Sequence, residues 1–291
     1  MHAKSPLAVL ALLCALAQQS FADSNSNQYD VGLARVDVTP ETPIRLSGFA
    51  SRLTESTGVR EHIFARAMAI RSASNKEPVV LVTVDSLCIP AAIRDEVAHR
   101  LRAKKNIPSE RIAICSTHSH TAPMVSNALP TLFGQPVPSD QQERIDNYTK
   151  QLIDKIEQSA LAALRDMKPS HLAYGIGNVG FSINRRTKGG PVDHDMPVMS
   201  VTDLNGKVRG IWVNYACHCV VLSDFQVSGD WAGYAAKELE HQYPDSVALV
   251  SMGCGADSNP QSGVKFDKAE IAQGYGHAYR SSHQRIARNH R

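Results

Sequence analysis

The chain has 291 residues, of which 43% are hydrophobic and 20% are charged, with 18 Gly and 15 Pro. A chain of this length can bury a sizeable core as one large domain or two small ones. The composition excludes a collagen-like chain, a coiled coil and a wholly disordered chain. The formal net charge of +3 indicates a nucleic-acid partner only if the positive charge lies within the folded domain.

The first 22 residues have the pattern of a secretory signal peptide. Lys4 lies in a short basic region, and the apolar run Leu7–Ala17 follows it. Ser20 and Ala22 supply the small residues expected just before a cleavage point after Ala22. The alternative, a membrane anchor, is disfavoured because the run is shorter than the roughly 20 residues that cross a bilayer. No transmembrane segment is predicted elsewhere, and we expect a secreted or periplasmic protein.

After this leader, strand-like and helical patterns alternate along the chain. Pro90 begins a helix in which Ile93, Val97 and Leu101 form one apolar stripe. Ser139, with Gln142 three residues later, predicts a capping box at the start of the longest helix. Apolar and β-branched runs predict strands at 31–38, 65–71, 78–84, 111–115, 171–176, 196–201, 208–215 and 247–251.

Two further helices are predicted in the second half of the chain. Asp230 is expected to cap one of them, and Asp267 with Glu270 marks the start of the other. Asn205-Gly206 is expected to form a hairpin turn. Helices distributed among strands predict a mixed, layered α/β domain with a central β-sheet and flanking helices.

The cysteine pattern gives little support to disulfides or to a cysteine-based metal site. Five cysteines remain after the predicted signal, and an odd number cannot all pair within one chain. Cys217 and Cys219 flank a histidine at a spacing found in metal sites, but they lie in an apolar run. We therefore expect free, mostly buried thiols.

Histidines at predicted strand ends are the most informative feature of the sequence. His118 and His120 follow the buried strand that ends at Cys115, and loops at strand ends often carry functional sites. Two histidines two residues apart in an extended segment point the same way, so both could serve a metal or acid–base chemistry. The alternative is a pair of ordinary surface or hydrogen-bonded histidines.

His218 has the same placement, after the apolar stretch 211–216. Alone it is typical of a core histidine, whereas together with His118 it could bind one zinc ion. The loops 228–230 and 253–260 are polar and contain glycine, which is also typical of ordinary turns and helix caps. Asn184-Arg185-Arg186 could hold an anion or a substrate carbonyl, although exposed arginines are commonly just solvated.

Taken in order, these segments resemble the N-terminal catalytic domain of the neutral/alkaline, non-lysosomal ceramidase family. The resemblance covers roughly residues 30–278 and includes the opening Arg35–Pro40 and the strand at 63–70. The segments that carry it are 115–123, 183–185, 212–218, 228–235, 253–259 and 266–278.

The resemblance implies a zinc-dependent hydrolase that cleaves the amide bond of N-acyl sphingoid or related N-acyl lipids. It implies that His118 and His218 are zinc ligands and that His120 acts beside the metal on the substrate and the attacking water. Arg185 would contact the reacting centre. Ser258 corresponds to a serine proposed as a nucleophile, although this chain reads Gly255–Pro260 where the family has Gly-Asp-x-Ser-Pro-Asn, so its neighbours are permuted.

The resemblance also implies that this domain is incomplete. The family's other zinc ligands, a glutamate and a tyrosine, come from segments beyond the point matched by Ala278. We expect a signal at 1–22, a ceramidase-like domain at 23–278 and an unrelated basic tail at 279–291. Without the tail's four arginines and Lys4, 26 of the 31 basic residues remain against 28 acidic ones, so no nucleic-acid partner is expected.

Three functions remain open at this level. The first is the zinc amidohydrolase of N-acyl lipids, with which we associate peripheral contact with a membrane. The second is a hydrolase of the same fold acting on another amide or an ester. The third is a truncated fragment without catalysis.

Overall fold

The computed structural model describes residues 28–289, with side chains described as far as Tyr279. The predicted signal at 1–22 therefore lies outside the described residues. The helices are α1 Ala91–Lys105, α2 Ser139–Arg165, α3 Asp230–Gln242 and α4 Ala269–Asn289. The strands are β1 Gln28–Asp37, β2 Gly58–Val59, β3 Phe64–Ser72, β4 Val79–Val84, β5 Ile112–Ser116, β6 Lys168–Asn178, β7 Ser182–Asn184, β8 Asp195–Thr202, β9 Val208–Tyr215, β10 Gln226–Val227, β11 Val247–Met252 and β12 Ser258–Pro260.

Eight strands form one mixed sheet in the order β11-β9-β8-β6-β1-β3-β4-β5. The outermost pairs, β11 with β9 and β4 with β5, are parallel, and the inner pairs are antiparallel. The two halves join where β1 pairs with β6, through Gln28–Val31 and Lys168–His171 alone. This narrow junction allows the sheet to fold over on itself.

The folded sheet and its helices make four layers. Strands β3 and β4 present one face to α1 and α2, in a core that contains Val82, Leu101 and Ile156. Strands β8, β9 and β11 present one face to α3 and α4, around Val213 and Trp231. The opposite faces of the two halves meet in a third apolar cluster, which contains Val31, Leu33, Met68, Val201 and Leu249. The predicted α/β class is confirmed, and the doubling of the sheet is an additional finding.

Two glycines allow the close approach of these layers. A Cβ at Gly32 in β1 would lie 1.8 Å from the carbonyl oxygen of Ala163 in α2. A Cβ at Gly210 would lie 2.7 Å from the side chain of Leu33 across the folded sheet. A larger residue at position 32 would push α2 away from the sheet, whereas one at position 210 would require the Leu33 side chain to move.

Two predicted helix caps are wrong, although both helices exist. Pro138 occupies the cap position of α2 without a side-chain hydrogen bond, and the Gln142 amide donates to Asp146 instead. Because Pro138 is the cap residue, Ser139 already lies inside the helix, one position beyond the place from which a side chain caps. Asp230 is the first residue of α3 rather than its cap, and its carboxylate accepts N–H groups of a neighbouring loop.

Helix α4 continues across the predicted boundary after Ala278 to Asn289. Tyr279 is fully buried, and its ring stacks on Trp231 with centroids 5.5 Å apart. The tyrosine therefore belongs to the core, while an unrelated tail at 279–291 stays a prediction. Among the described residues, no helix is both long and apolar enough to cross a membrane.

Candidate metal centre

The candidate site lies where the ends of β5 and β9 approach each other. His118 and His120 follow the end of β5, and His218 follows the end of β9. The two loops are tied together because the His120 amide donates to the Cys219 carbonyl at 3.1 Å. The folding of the sheet brings these distant segments to one place.

The three histidines form a compact cluster. One nitrogen from each ring lies within 4.8 Å of the other two, and the burial of the rings is partial or complete. The Nε2 atoms of His118 and His120 are 3.3 Å apart. Among residues 28–279 this is the single group of three or more His, Cys, Asp or Glu side chains close enough to share an ion. The side chains predicted separately as ligand and acid–base group thus belong to one cluster.

Each imidazole is held through its Nδ1 atom by a backbone carbonyl. The Nδ1 atoms of His118, His120 and His218 lie 2.8, 3.1 and 2.7 Å from the carbonyl oxygens of Leu87, Gly48 and Gly255, respectively. A carbonyl can only accept, so each Nδ1 carries the proton and each Nε2 keeps its lone pair. This is the arrangement found around metal-binding histidines, and these residues fit a divalent metal.

Burial keeps the three rings neutral. Burial, together with the positive charge that His118 and His218 can carry, lowers the pKa of His120 to about 3. Burial also lowers the pKa of His118 and of His218, although each ring has a carbonyl partner that favours the protonated form. A neutral imidazole has a free lone pair, so all three can coordinate a cation at neutral pH.

The loop that carries Gly48 encloses His120. Gly48 has φ +93°, and a Cβ there would lie 2.7 Å from atoms of the His120 ring. Phe49 packs edge-on against the same ring, with centroids 5.3 Å apart. Arg52, which is 1% exposed, donates to the carbonyls of His120, Ser47 and Asp224. Sequence reasoning missed this loop, because nothing local to it indicates a contact with a histidine about 70 positions later.

Residues at the start of α3 support His218. The Trp231 indole donates to the His218 carbonyl at 2.8 Å. The buried Asp230 carboxylate accepts from the amides of Val221, Leu222 and Trp231, and Asp230 itself adopts a φ of +52°. The segment 228–235 contributed to the family resemblance, but its contact with the histidine loop could not be read from the sequence.

Arg185 lies on the exposed rim of the cluster. Its amide donates to the Asp257 carbonyl at 2.7 Å, and its Nε donates to the Ala256 carbonyl at 2.9 Å. Its positive charge contributes to the lowered pKa of His118 and of His218. The predicted residue is thus near the histidines, while its catalytic role stays a prediction.

Ser258 adjoins the cluster through its backbone. Its carbonyl accepts from the His218 amide at 2.9 Å. Its hydroxyl is buried beside the Cys217 thiol, and no hydrogen bond joins it to any histidine that the structure describes. A nucleophilic serine requires an adjacent base, so the predicted role of Ser258 has no support in this geometry.

The described cysteines are free, as predicted. Cys217 and Cys219 are buried, and burial raises the pKa of both thiols above the ordinary value. Neither belongs to the histidine cluster. Cys254 differs from the expectation because it is exposed.

Three imidazoles converge at the ends of sheet strands in this α/β protein, in an arrangement that fits a divalent metal. The family model described as Neutral/alkaline non-lysosomal ceramidase, N-terminal, matches residues 29–253. The chain belongs to this family.

Individual relatives agree with this assignment. The chain is 24% identical over 255 residues to a neutral ceramidase of Drosophila pseudoobscura pseudoobscura, covering 80% of this chain and 35% of that protein. It is 24% identical over 245 residues to neutral ceramidase B of Dictyostelium discoideum, covering 77% and 33%. The chain thus spans about a third of the length of these relatives.

Solved structures show the same fold. The crystal structure of neutral ceramidase from Pseudomonas aeruginosa matches with a TM-score of 0.75 and 23% identity, covering 90% of this chain and 45% of that one. A structure of ceramidase complexed with C2 matches with a TM-score of 0.76 and 24% identity, covering 90% and 44%.

Proposed function

We propose that the protein acts as a zinc-dependent hydrolase that cleaves the amide bond of N-acyl sphingoid or related N-acyl lipids. The observation that carries this proposal is the set of three Nε2 atoms left free by carbonyl-bound Nδ1 atoms. Imidazole nitrogen is a preferred zinc ligand. The relatives described above are neutral ceramidases, and the proposed substrate class follows from them.

His118 and His218 are the proposed protein ligands, through Nε2. A bound zinc ion would supply Lewis acidity, lowering the pKa of a coordinated water to about 7 and polarising the amide carbonyl. The carbonyls of Leu87 and Gly255 orient the two rings for this role.

His120 is the proposed proton carrier. Its Nδ1–H group is directed at the Gly48 carbonyl, which leaves Nε2 as the atom that takes a proton from water and delivers it to the leaving nitrogen. Its enclosure by Gly48 and Phe49 holds the ring in one orientation. Arg185, at the exposed rim, is the group that we propose stabilises negative charge developing on the substrate oxygen.

A secreted or periplasmic location and peripheral contact with a membrane belong to the same proposal. The location rests on the signal pattern of residues 1–22. Membrane contact is supported by an exposed segment after β12, in which Val264 and Phe266 are 42% and 66% exposed beside Lys265. An aromatic side chain and a lysine can both interact with the headgroup region of a membrane.

Zinc binding and hydrolysis test the proposal directly. Purified protein would be loaded with zinc, analysed for metal content and assayed on an N-acyl sphingosine. We expect one zinc per chain, and we expect His118→Ala and His218→Ala to abolish both binding and hydrolysis. His171→Ala, which changes an exposed histidine on β6, is the matched control and should behave as wild type.

The outcomes separate the three functions. Full zinc occupancy in the His118→Ala and His218→Ala variants would show that the proposed site is wrong. Hydrolysis of other amides or esters but not of the N-acyl sphingosine would favour a different hydrolase of the same fold. Zinc binding without hydrolysis of any of them would favour a chain that is not catalytic by itself.

A further inference from the structure

A buried arginine lies behind His120 and has no part in the chemistry proposed above. Arg52 is 1% exposed, and within the described part of the chain its guanidinium donates to backbone carbonyls alone. Burial lowers the pKa of Arg52 to about 10, although the charges of Asp224 and Asp230 act to raise it, so the side chain stays charged at neutral pH. Its Nε atom is buried without a hydrogen-bond partner among the described residues.

Such a side chain is costly for the fold. A buried charge that bonds only neutral groups loses much of its hydration, whereas an apolar side chain of similar volume is often neutral or stabilising in its place. Stability alone therefore does not account for an arginine at position 52, and the groups that it holds need to be considered.

The three carbonyls that Arg52 bonds belong to three segments that meet at the histidine cluster. They are the carbonyls of Ser47 at 2.8 Å, of Asp224 at 2.6 Å and of His120. Ser47 precedes Gly48, whose own carbonyl accepts from the His120 Nδ1 atom. One guanidinium thus bonds both the backbone of His120 and the residue next to the acceptor of its ring.

Two aromatic rings hold the guanidinium itself in place. Its central carbon lies 4.7 Å from the ring centroid of Phe49 and 5.9 Å from that of Phe225. Both distances are within the range of a cation–π contact. Phe49 also packs edge-on against the His120 imidazole. Because the guanidinium is planar and its donors have fixed directions, it can keep the bonded loops at a constant separation.

These contacts act on His120 rather than on the two proposed zinc ligands. The Nδ1 atoms of His118 and His218 bond carbonyls that accept nothing from Arg52. Removal of the guanidinium should therefore loosen the ring of His120 and leave the two ligand rings in their orientation.

Other contacts keep the same loops attached when the guanidinium is removed. The Asp224 carboxylate pairs with Arg60. The Ser47 amide donates to the Ala122 carbonyl at 3.1 Å. We therefore expect variants at position 52 to fold, with a loosened loop beside His120.

We propose that Arg52 is a positioning residue for His120, which holds the backbone of this histidine and the Gly48 loop together so that the imidazole keeps one orientation. Its catalytic consequence rests on the proposed amide hydrolysis, whereas the positioning itself can be observed without turnover. A misplacement of about 1 Å can cost about a hundredfold in rate, so a loosened ring should slow proton transfer more than it weakens substrate binding.

Arg52→Met tests the inference because it removes every donor and keeps an unbranched side chain. Imidazole NMR on the metal-free protein at neutral pH would follow the three Nδ1–H protons. We expect the proton of His120 to exchange with water at least about tenfold faster, and those of His118 and His218 to change by less than about twofold. On the zinc-loaded protein, kcat for an N-acyl sphingosine should fall at least about tenfold, with KM unchanged within about threefold.

Arg45→Met is the matched control. Arg45 is also 1% exposed and lies 4.6 Å from the ring centroid of Phe133, but its side chain bonds Leu53 and Gln141. This variant should lower the free energy of unfolding about as much as Arg52→Met does, without changing the imidazole signals or kcat. Arg52→Lys keeps the charge but lacks the planar fork, so it should restore part of the His120 signal and part of kcat.

An unchanged His120 proton in Arg52→Met, or equal loosening of all three rings, would overturn the inference. A change of the same size in Arg45→Met would overturn it as well. If Arg52→Met does not fold, Arg52→Lys measured beside Arg45→Lys decides the same question. Absence of hydrolysis by the wild-type protein would contradict the proposed function alone, because the NMR comparison of the three rings does not depend on turnover.

Discussion

The histidine cluster and the turn after β7 (residues 184–191) are neighbours, but they are held in place by different kinds of contact. The three imidazoles bond carbonyls that lie 31, 72 and 37 positions away in the chain. The turn after β7 is organised by the Asn184 side chain, which bonds three groups no more than seven positions away and lies 3.4 Å from Asp257. The cluster therefore depends on the whole fold, whereas the turn depends mainly on contacts of its own residues. Substitutions that remove support from the cluster should alter stability and chemistry together, while substitutions of exposed side chains at this turn should have little effect on stability.

The largest effect on stability is expected for Asp230→Ala, behind the His218 loop. The variant leaves three buried amides, those of Val221, Leu222 and Trp231, without an acceptor. Each such group costs about 1–3 kcal/mol, so the free energy of unfolding should fall by about 3–5 kcal/mol. Urea denaturation of the metal-free protein at neutral pH would measure it.

Asp203→Ala is the control for this variant. The Asp203 side chain also accepts two backbone amides, those of Asn205 and Lys207, but in an exposed hairpin turn. Water can replace that acceptor, so we expect a loss of no more than about 1 kcal/mol. Similar losses of stability in the two variants would contradict the expectation that a buried carboxylate bonding a distant loop contributes more to stability than an exposed carboxylate bonding its own turn.

The pH dependence of stability provides a second test at Asp230. Burial raises the pKa of Asp230 from its ordinary value of 3.8 to about 6, although the backbone hydrogen bonds to its carboxylate act to lower this pKa. Between about pH 4 and pH 6 the folded protein holds more protons at this carboxyl than the unfolded chain does. Its contribution to the free energy of unfolding therefore falls as pH rises, by up to about 3 kcal/mol, and is constant above that range.

Asp230→Asn removes this titration while keeping one acceptor oxygen. The difference between wild-type and variant unfolding free energies, measured by urea denaturation at several pH values, should decline across pH 4 to 6 and then level off. A difference that does not change with pH would show that the Asp230 carboxyl titrates normally in the folded protein.

A smaller effect is expected where the fold encloses His120. Gly48→Ala forces a side chain onto a φ of +93° and places its Cβ against the His120 ring. We expect a loss of about 1–3 kcal/mol in stability from backbone strain, and at least a tenfold loss of hydrolysis from displacement of the ring. Imidazole NMR would report the loss of the Nδ1–H bond to the Gly48 carbonyl.

Gly134→Ala separates the two causes. Gly134 has φ +65°, and a Cβ there would meet nothing within 4 Å. This variant should show the stability loss without any change in the His120 signals or in hydrolysis. Equal losses of hydrolysis in both variants would mean that strain alone, rather than contact with His120, explains the effect.

The sequence predicts most of the strands and helices, and it predicts the site residues that directly follow a strand. Buried apolar runs indicated most strands of the sheet, and their ends correctly located His118, His120 and His218. The folding of the sheet at the short β1–β6 junction, which brings the ends of β5 and β9 together, has no local signal. The same holds for the contacts of Gly48 and Trp231 with histidine residues, because each depends on the assembled layers.

The capping residues show the opposite case, in which the sequence motif is present but the helix cap that it predicts is not formed. Ser139 and Gln142 have the spacing of a capping box, yet Pro138 already begins the helix. Asp230 has the residue type of a cap but bonds a loop that only the tertiary structure places beside it. A motif therefore indicates which groups need partners, whereas the tertiary structure decides which partners they find.

The smallest effect on stability and on zinc affinity is expected for Arg185→Ala, on the exposed rim of the histidine cluster. Arg185 is exposed, and its side chain donates one hydrogen bond, from Nε to the Ala256 carbonyl, so its replacement should change the free energy of unfolding by no more than about 0.5 kcal/mol. Zinc affinity should stay within about twofold, since the three imidazoles and their carbonyl partners are untouched.

Hydrolysis by Arg185→Ala should nevertheless fall by about 10²–10³, the usual consequence of losing a donor to the developing oxyanion. Calorimetric zinc titration and hydrolysis would be measured beside Arg102→Ala, an exposed arginine on α1 that should alter neither. If Arg185→Ala weakened zinc binding as strongly as it slowed hydrolysis, Arg185 would belong to the support of the cluster rather than to the chemistry at its rim.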